Sequence, residues 1–545
     1  MTTDAVPALP VLVELSAAVH AALEASDAVG RAEVAVADGT DALLRELGVP
    51  GRAVVTVRIA EPPPRARLPL HITVDDRRCR YSDAAARRAA EFHLGGEAAA
   101  ADWLTQARDR GLLVDILATV CAEALSARAG VLLGPPQLDV YRAGMPTDAE
   151  GIARWKTETL LDLLRDVLDL RLSLADVPTV ARVLAEGPAD ASAARESLVS
   201  ALIPDVLEIR IPAGYLREIT DTTANDSVDD GLFTFLRREL FRRLGLPLPA
   251  LRLVDDDGLQ GRAIRFRVNA LTTTPLAGMA DGSVLVNDAA DQLAAAGIDA
   301  TPVTNPADGQ PAAVVASRHA ADLSAQGYTT WSPLVFLLLA LAATVREHAR
   351  CLVDTSLAEG LVRDLEPNFP QLVQAAQRRL PPWRLAALLR GLAAERVSMR
   401  NLRRIFDIVV DRLPDGTAEP DDAMLLTQVR VGLGRQISQQ LARPGTTTVV
   451  SYLVGPDIEE LLRREPPASE AELDAVAAAV SAELSLLPTT SLVPVMITTT
   501  EVRAALARLT AAEFSNVPVI AFNELVDTVV VQPIARLTRP ETAVR

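Results

Sequence analysis

Aromatic residues are scarce in this 545-residue chain, 3% of the total, so its cores must be built from Ala, Leu and Val. Cysteine is scarcer still. Cys79, Cys121 and Cys351 stand far apart with no C-x-x-C pair, which excludes a disulfide framework and leaves small buried thiols in a reducing, cytoplasmic compartment. Positive charge is in deficit: 54 Lys and Arg against 71 Asp and Glu give a net charge of −17. That balance argues against phosphate-backbone binding, so nucleic acid is not an expected partner, and anionic lipid exerts little pull. Long apolar runs are missing as well. The longest, Leu334 to Ala343, is about half the ~20 residues a bilayer span requires, so a buried helix is expected and no direct membrane insertion. The opening MTTDAVPALP has no basic stretch ahead of an apolar core, so no secretory signal is expected.

Signatures of chemistry are absent too. No GxxxxGK[ST], HExxH or GxSxG occurs, which removes the usual nucleotide, metalloprotease and hydrolase readings. His348 and Cys351 share a helical face but have no second pair to complete a metal site. The turn Asp255-Asp256-Asp257 lacks the alternate spacing and terminal Glu of a calcium loop. His319 near Ser317 has no acidic orienter. Gly432-Leu433-Gly434 lies in a helical stripe, where it reads as a close-packing pair. No catalytic residue, cofactor or metal is expected, and the chain is not read as an enzyme.

What is present is ample apolar residue, 49% against 23% charged, enough for several domains. Glu33–Val36 and Ala53–Ile59 read as strands around a helix Ala42–Leu47 that stops at Gly48. Leu70, Ile72 and Val74 alternate as a half-buried strand, a helix spans Leu112–Leu125, and Gly134–Pro146 reads as a linker. Residues 151–186 read helix, turn, helix, with Ser173 as N-cap and Asp176 in an acidic first turn. A strand from Val206, a helix Gly231–Leu244 and strands Leu251–Val254 and Ile264–Val268 follow. Val429, Leu433, Ile437 and Leu441 form an apolar stripe, and the last hundred residues alternate strand and helix as a small α/β domain.

Several segments carry a resemblance. VLEIRI (Val206–Ile211), LRRELFRRLGLPLPALRLVDD, GQPAAVVASRHAADLSAQGYTTWSP, LEPNFPQLVQ, AERVSMRNL, VRVGLGRQISQQ and VPVIAFNEL lie in the order of similar passages in the soluble half of type III secretion and flagellar export-gate proteins. Residues of about 204 to 540 thus resemble the FHIPEP family, without the membrane domain that precedes this half in the family. Trp331, Ser332 and Asn401 depart from the family's usual residues, and no chaperone-groove residue is carried over.

An echo precedes that region. LLRDVLDLRLSLADV (Leu163–Val177) aligns without gaps on LLRGLAAERVSMRNL (Leu388–Leu402), pairing Arg165 with Arg390, Arg171 with Arg396 and Ser173 with Ser398. The expected fold is α/β, of the α+β multidomain kind, with the export-gate cytoplasmic architecture in a partly degenerate tandem duplication. Its expected parts are a reduced first module over 1–135, its helical subdomain over 150–200, an α/β subdomain over 204–362 with a small insert at about 279–327, a helical subdomain over 363–444 and a C-terminal α/β subdomain over 446–540.

Ser398 is expected to cap a helix Met399–Val410, with Ser398→Ala costing about 1 kcal/mol. The resemblance implies a homo-oligomer, ring-forming in the family, which receives an unknown protein partner or a chaperone–substrate complex. The basic positions Arg396, Arg400, Arg403 and Arg404 are the expected oligomer interface. The alternatives are an enzyme with an unrecognised site in the first module or in 277–327, and a secretion component acting with a separate membrane subunit.

Overall fold

The computed structural model describes residues 6–60, 68–81, 83–95, 102–146, 150–204, 206–221, 229–307, 309–413, 420–442, 445–484, 486–487, 494–511, 513–514 and 517–539. These form two compact units, one running to Leu352 and one from Val353.

The first unit opens with β1 (Ala8–Leu15), β2 (Arg52–Ile59), β3 (Leu70–Val74) and β4 (Arg77–Cys79) in the order β2-β1-β3-β4. β1 runs parallel to β2 and antiparallel to β3, which is antiparallel to β4. Sequence reading missed β1 because Pro7 and Pro10 punctuate it. Pairing with β3 begins only at Val11, so the N–H that Pro10 lacks breaks no bond to that neighbour. Glu33–Val36, expected as a strand, lies inside the helix Val29–Leu47. Ala32, Val36, Thr40, Leu43, Leu44 and Leu47 are its buried face, and this helical spacing outweighs the local β-branched residues. Gly48 ends the helix at φ 67°, and a Cβ there would lie 2.3 Å from Ala175 N. Both facts require glycine.

A second sheet repeats the pattern. β5 (Val206–Ile211), β6 (Ala250–Asp255), β7 (Ala263–Val268) and β8 (Leu271–Thr272) stand in the order β6-β5-β7-β8, with β5 parallel to β6 and antiparallel to β7, and β7 antiparallel to β8. Two helices lie between the parallel strands in each case: Ala17–Glu24 and Val29–Leu47 in the first, Ala213–Asp221 and Asp229–Leu244 in the second. From Ser283 to Trp331 a smaller antiparallel sheet carries its own core of Val286, Leu293, Ala313, Val315 and Leu323. The apolar helix Pro333–Glu347 follows, its N-cap Ser332 accepting from Val335 N at 3.4 Å. The expected linker Gly134–Pro146 instead holds the helix Pro135–Ala143, whose Pro at the first position suits a helix start.

The second unit begins with helices and ends in a parallel sheet. That sheet orders Val519–Ala521, Val495–Thr498, Thr448–Val454 and Val530–Leu537, over a core that includes Tyr452, Ile458, Val476, Met496 and Leu506. Val530–Leu537 is an edge strand. Pro533 stands opposite Ser451, and the register then skips Ile534 so that Tyr452 faces Ala535. The apolar stripe divides into helices Asp422–Gly432 and Gly434–Leu441. A Cβ at Gly432 would meet Ile408 Cγ1 at 2.6 Å, and one at Gly434 would meet Glu524 O at 2.9 Å. The glycine pair serves packing.

Candidate assembly surface

The arginine loop starts where the helix Pro382–Ala394 ends. Arg396 adopts φ 56°, a left-handed conformation unusual for a side chain of its size, and this turns the chain towards the next helix. That helix is Leu402–Arg412, and its N-cap is Asn401, whose Oδ1 accepts from Arg404 N at 3.2 Å. Ser398 is therefore not the cap. Its hydroxyl accepts from Arg400 N at 3.4 Å, bracing the loop ahead of the helix, while its carbonyl accepts from Gln436 Nε2 at 2.7 Å. Ser173 is corrected in the same way. Asp176 caps the helix Val177–Glu186 through Thr179 N, and Ser173 Oγ donates to Glu46 O at 2.7 Å and accepts from Ala175 N at 3.2 Å. In both places a Ser and an Asp or Asn three positions apart compete to cap, and the later residue reaches the free N–H groups.

Arg396, Arg400, Arg403 and Arg404 are all exposed. The Arg403 guanidinium lies 4.5 Å from the centre of the Phe369 ring, and Arg404 Nη2 donates to Gly432 O at 3.5 Å. Beneath this basic loop sits a buried ionic cluster that the sequence did not reveal. Arg430 reaches Glu524 through two parallel hydrogen bonds, Nε to Oε1 at 2.8 Å and Nη2 to Oε2 at 2.6 Å. Arg503 Nη1 donates to Glu395 Oε2 at 2.6 Å, and Arg430 Nη1 approaches the same oxygen at 2.7 Å as an ion pair without hydrogen-bond alignment. Arg430, Arg503 and Glu524 are 2%, 1% and 0% exposed. Burial alone pulls the Arg430 guanidinium down, but the bonds to Glu524 and the charge of Glu395 outweigh it and hold it above its ordinary range. Two cations against two anions leave the cluster neutral, and Glu395, the residue before Arg396, ties it to the loop. Its members span residues 395 to 524, a separation no local spacing rule detects.

Other candidate chemistry resolves into architecture. His348 is half-buried at the end of its helix, and desolvation there, with the Arg171 and Arg350 charges, holds its pKa well below the ordinary range. Cys351 N donates to His348 O at 2.8 Å, continuing the chain turn. Asp255 accepts from Ala213 N, and Asp256 from Arg210 Nε and Gly258 N, so the acidic turn is tied to its own sheet. Among the described residues no group of three or more His, Cys, Asp and Glu could hold a metal ion, and no helix is long and apolar enough to cross a membrane.

Over 61% of the chain the fold is that of CdsV of Chlamydia pneumoniae. CdsV, in the structure of the Chlamydia pneumoniae CdsV and CdsO protein complex, matches with a TM-score of 0.56 at 22% identity, covering 61% of this chain and 97% of that one. The FHIPEP family model matches residues 157–530, and the chain belongs to that family. Among curated relatives, the Low calcium response locus protein D of Yersinia pestis is 26% identical over 318 residues, 55% of this chain and 44% of the relative. The Hypersensitivity response secretion protein HrcV of Ralstonia nicotianae is 30% identical over 236 residues, 43% of this chain and 33% of the relative. The chain thus spans less than half the length of these two relatives.

Proposed function

We propose that this chain is a non-catalytic, cytoplasmic docking scaffold that assembles with copies of itself through the arginine loop. The observation that carries this reading is the pairing of an exposed basic loop with a buried, neutral cluster of four charges at its base. Burying charge costs several kcal/mol per ion, and packed apolar side chains would serve plain stability as well. A cluster of this kind makes sense as a device that holds Arg396, Arg400, Arg403 and Arg404 in one presentation. The net charge of −17 supplies acidic surface for such a loop to meet. A protein client, such as a chaperone–substrate complex, is the expected cargo by family resemblance, and CdsV is a relative solved with a protein partner. Action beside a separate membrane subunit would use the same platform.

Sedimentation velocity of the purified full chain tests the reading. The expected result is a species several times the 58.0 kDa of one chain, reduced to single-chain mass by Arg400→Glu with Arg403→Glu. A chain that stays at 58.0 kDa at high concentration would sink it.

A further inference from the structure

The arginine loop has an internal counterpart, and the counterpart's docking partner is visible. The helix Thr157–Asp169 ends, and Val177–Glu186 begins, at the positions that match the end of Pro382–Ala394 and the start of Leu402–Arg412 in the gapless alignment. Arg171 and Arg396 share the left-handed conformation, at φ 60° and 56°. Ser173 and Ser398 each brace the N–H two residues on. Arg165 and Arg390, both buried, each donate from Nε to a carbonyl just after a short 3-10 turn, Leu133 O at 2.9 Å and Val353 O at 3.2 Å.

The two loops differ in what covers them. Arg171 is 3% exposed because its loop is seated on the turn between β7 and β8. Arg171 Nε donates to Val268 O at 3.4 Å and Nη2 to Thr272 O at 3.1 Å. In return Ala270 N donates to Arg171 O at 2.8 Å, and Asn269 Nδ2 to Leu170 O at 2.8 Å. In the first sheet, which has the same strand order and directions, the corresponding turn joins β3 to β4. Val74 pairs with Arg77 there as Val268 pairs with Leu271. Asp75 and Asp76 take the left-handed conformation that Asn269 takes, at φ 47° and 62°. Both are exposed, and among the described residues neither carboxylate is in an ion pair.

We propose that the Arg396 loop of one copy docks on the Asp75–Asp76 turn of a second copy, repeating between chains the Arg171–Asn269 junction. The proposal rests on the scaffold reading and names its acceptor. Charge follows the pairing. Over 171–179, the positions that match 396–404, the covered loop has Arg171 and Asp176 as its charged residues and meets a neutral Asn-Ala-Leu turn. The exposed loop carries Arg396, Arg400, Arg403 and Arg404, and its acceptor offers the Asp75 and Asp76 carboxylates in a setting that also holds Arg77, Arg128 and the buried Arg165. Arg78 O, which corresponds to Thr272 O, accepts from Arg128 Nη1 at 2.9 Å. Because loop and turn are different surfaces of the chain, the contact is head to tail and propagates from copy to copy.

The test mixes two full-length variants, Arg400→Ala with Arg403→Ala in the loop, and Asp75→Lys with Asp76→Lys in the turn, followed by sedimentation velocity at low salt. Each alone is expected to associate at least about tenfold more weakly than the unmodified chain. An equimolar mixture is expected to give a two-chain species and nothing larger, since one intact loop meets one intact turn. That outcome also shows that both variants are folded. A turn variant that assembles like the unmodified chain while the loop variant does not would overturn the acceptor and leave the scaffold reading standing. A mixture that stays monomeric would likewise overturn the acceptor. An unmodified chain that is monomeric throughout would overturn both.

Discussion

Two loops of one shape, around Arg171 and around Arg396, have opposite surroundings. The first is sealed, with its guanidinium donating to two backbone carbonyls; the second is open, with four arginines on its surface. Backbone conformation is shared and side-chain chemistry is not, so the shape belongs to the fold and the charge belongs to what each loop meets. The open loop is also the one anchored from below by buried ions, through Glu395. Position 170, which matches Glu395, is Leu, and the sealed loop is held instead from above by the β7–β8 turn.

Breaking the anchor should have the largest effect. Glu524→Gln leaves Arg430 and Arg503 buried without their full counter-charge, and about 3–5 kcal/mol of stability should be lost in urea titrations of the full chain. Next comes the side chain at the turn itself, probed by the same change in both loops, to glycine so that the left-handed backbone is preserved. Arg171→Gly should cost about 2 kcal/mol, because the buried Val268 carbonyl and the half-buried Thr272 carbonyl each lose a donor. Arg396→Gly should stay within about 0.5 kcal/mol while weakening association in sedimentation. Equal losses at both positions would erase the distinction between sealed and open.

Acid sharpens the contrast from another side. His348 is packed near Arg171, Arg350, Arg88 and Glu123, and its pKa is held down first by burial and then by those cations. The unfolded chain takes up the proton below about pH 6.5 while the folded chain refuses it, so the group's effect on stability worsens as pH falls. The loss should reach about 1.4 kcal/mol per pH unit below that value, and His348→Gln should flatten the slope. The smallest effect concerns the caps. Asn401→Ala should cost about 1 kcal/mol by removing the acceptor for Arg404 N, and thermal melts of Asn401→Ala and Ser398→Ala will separate the two roles.

Much of this was legible in sequence. The gapless match of Leu163–Val177 on Leu388–Leu402 contained the helix ends, the buried Arg165 and Arg390 and the turn residues, because a short motif carries its own local geometry. The basic character of the open loop was legible for the same reason. The caps were displaced by three residues because Ser and Asn are both good cap formers and only the path of the chain selects between them. The strand expected at Glu33–Val36 failed because four residues sample less than a helical repeat and a half. The four-charge cluster and the seat of Arg171 on Asn269 were invisible. Both are contacts between segments about a hundred residues apart, chosen by the fold and not by spacing.

The edge strand Val530–Leu537 bears on how such a molecule stays orderly among its own kind. An uncovered sheet margin is an invitation to add a further strand, and crowded copies would accept it indiscriminately. Pro533 removes a donor from that margin, and the skipped residue beside it throws the remaining groups out of step. One margin of the parallel sheet thus resists fibre-like stacking. In the proposed assembly, contact between copies is then left to surfaces chosen by charge, which salt and substitution can tune, and not to backbone adhesion, which they cannot.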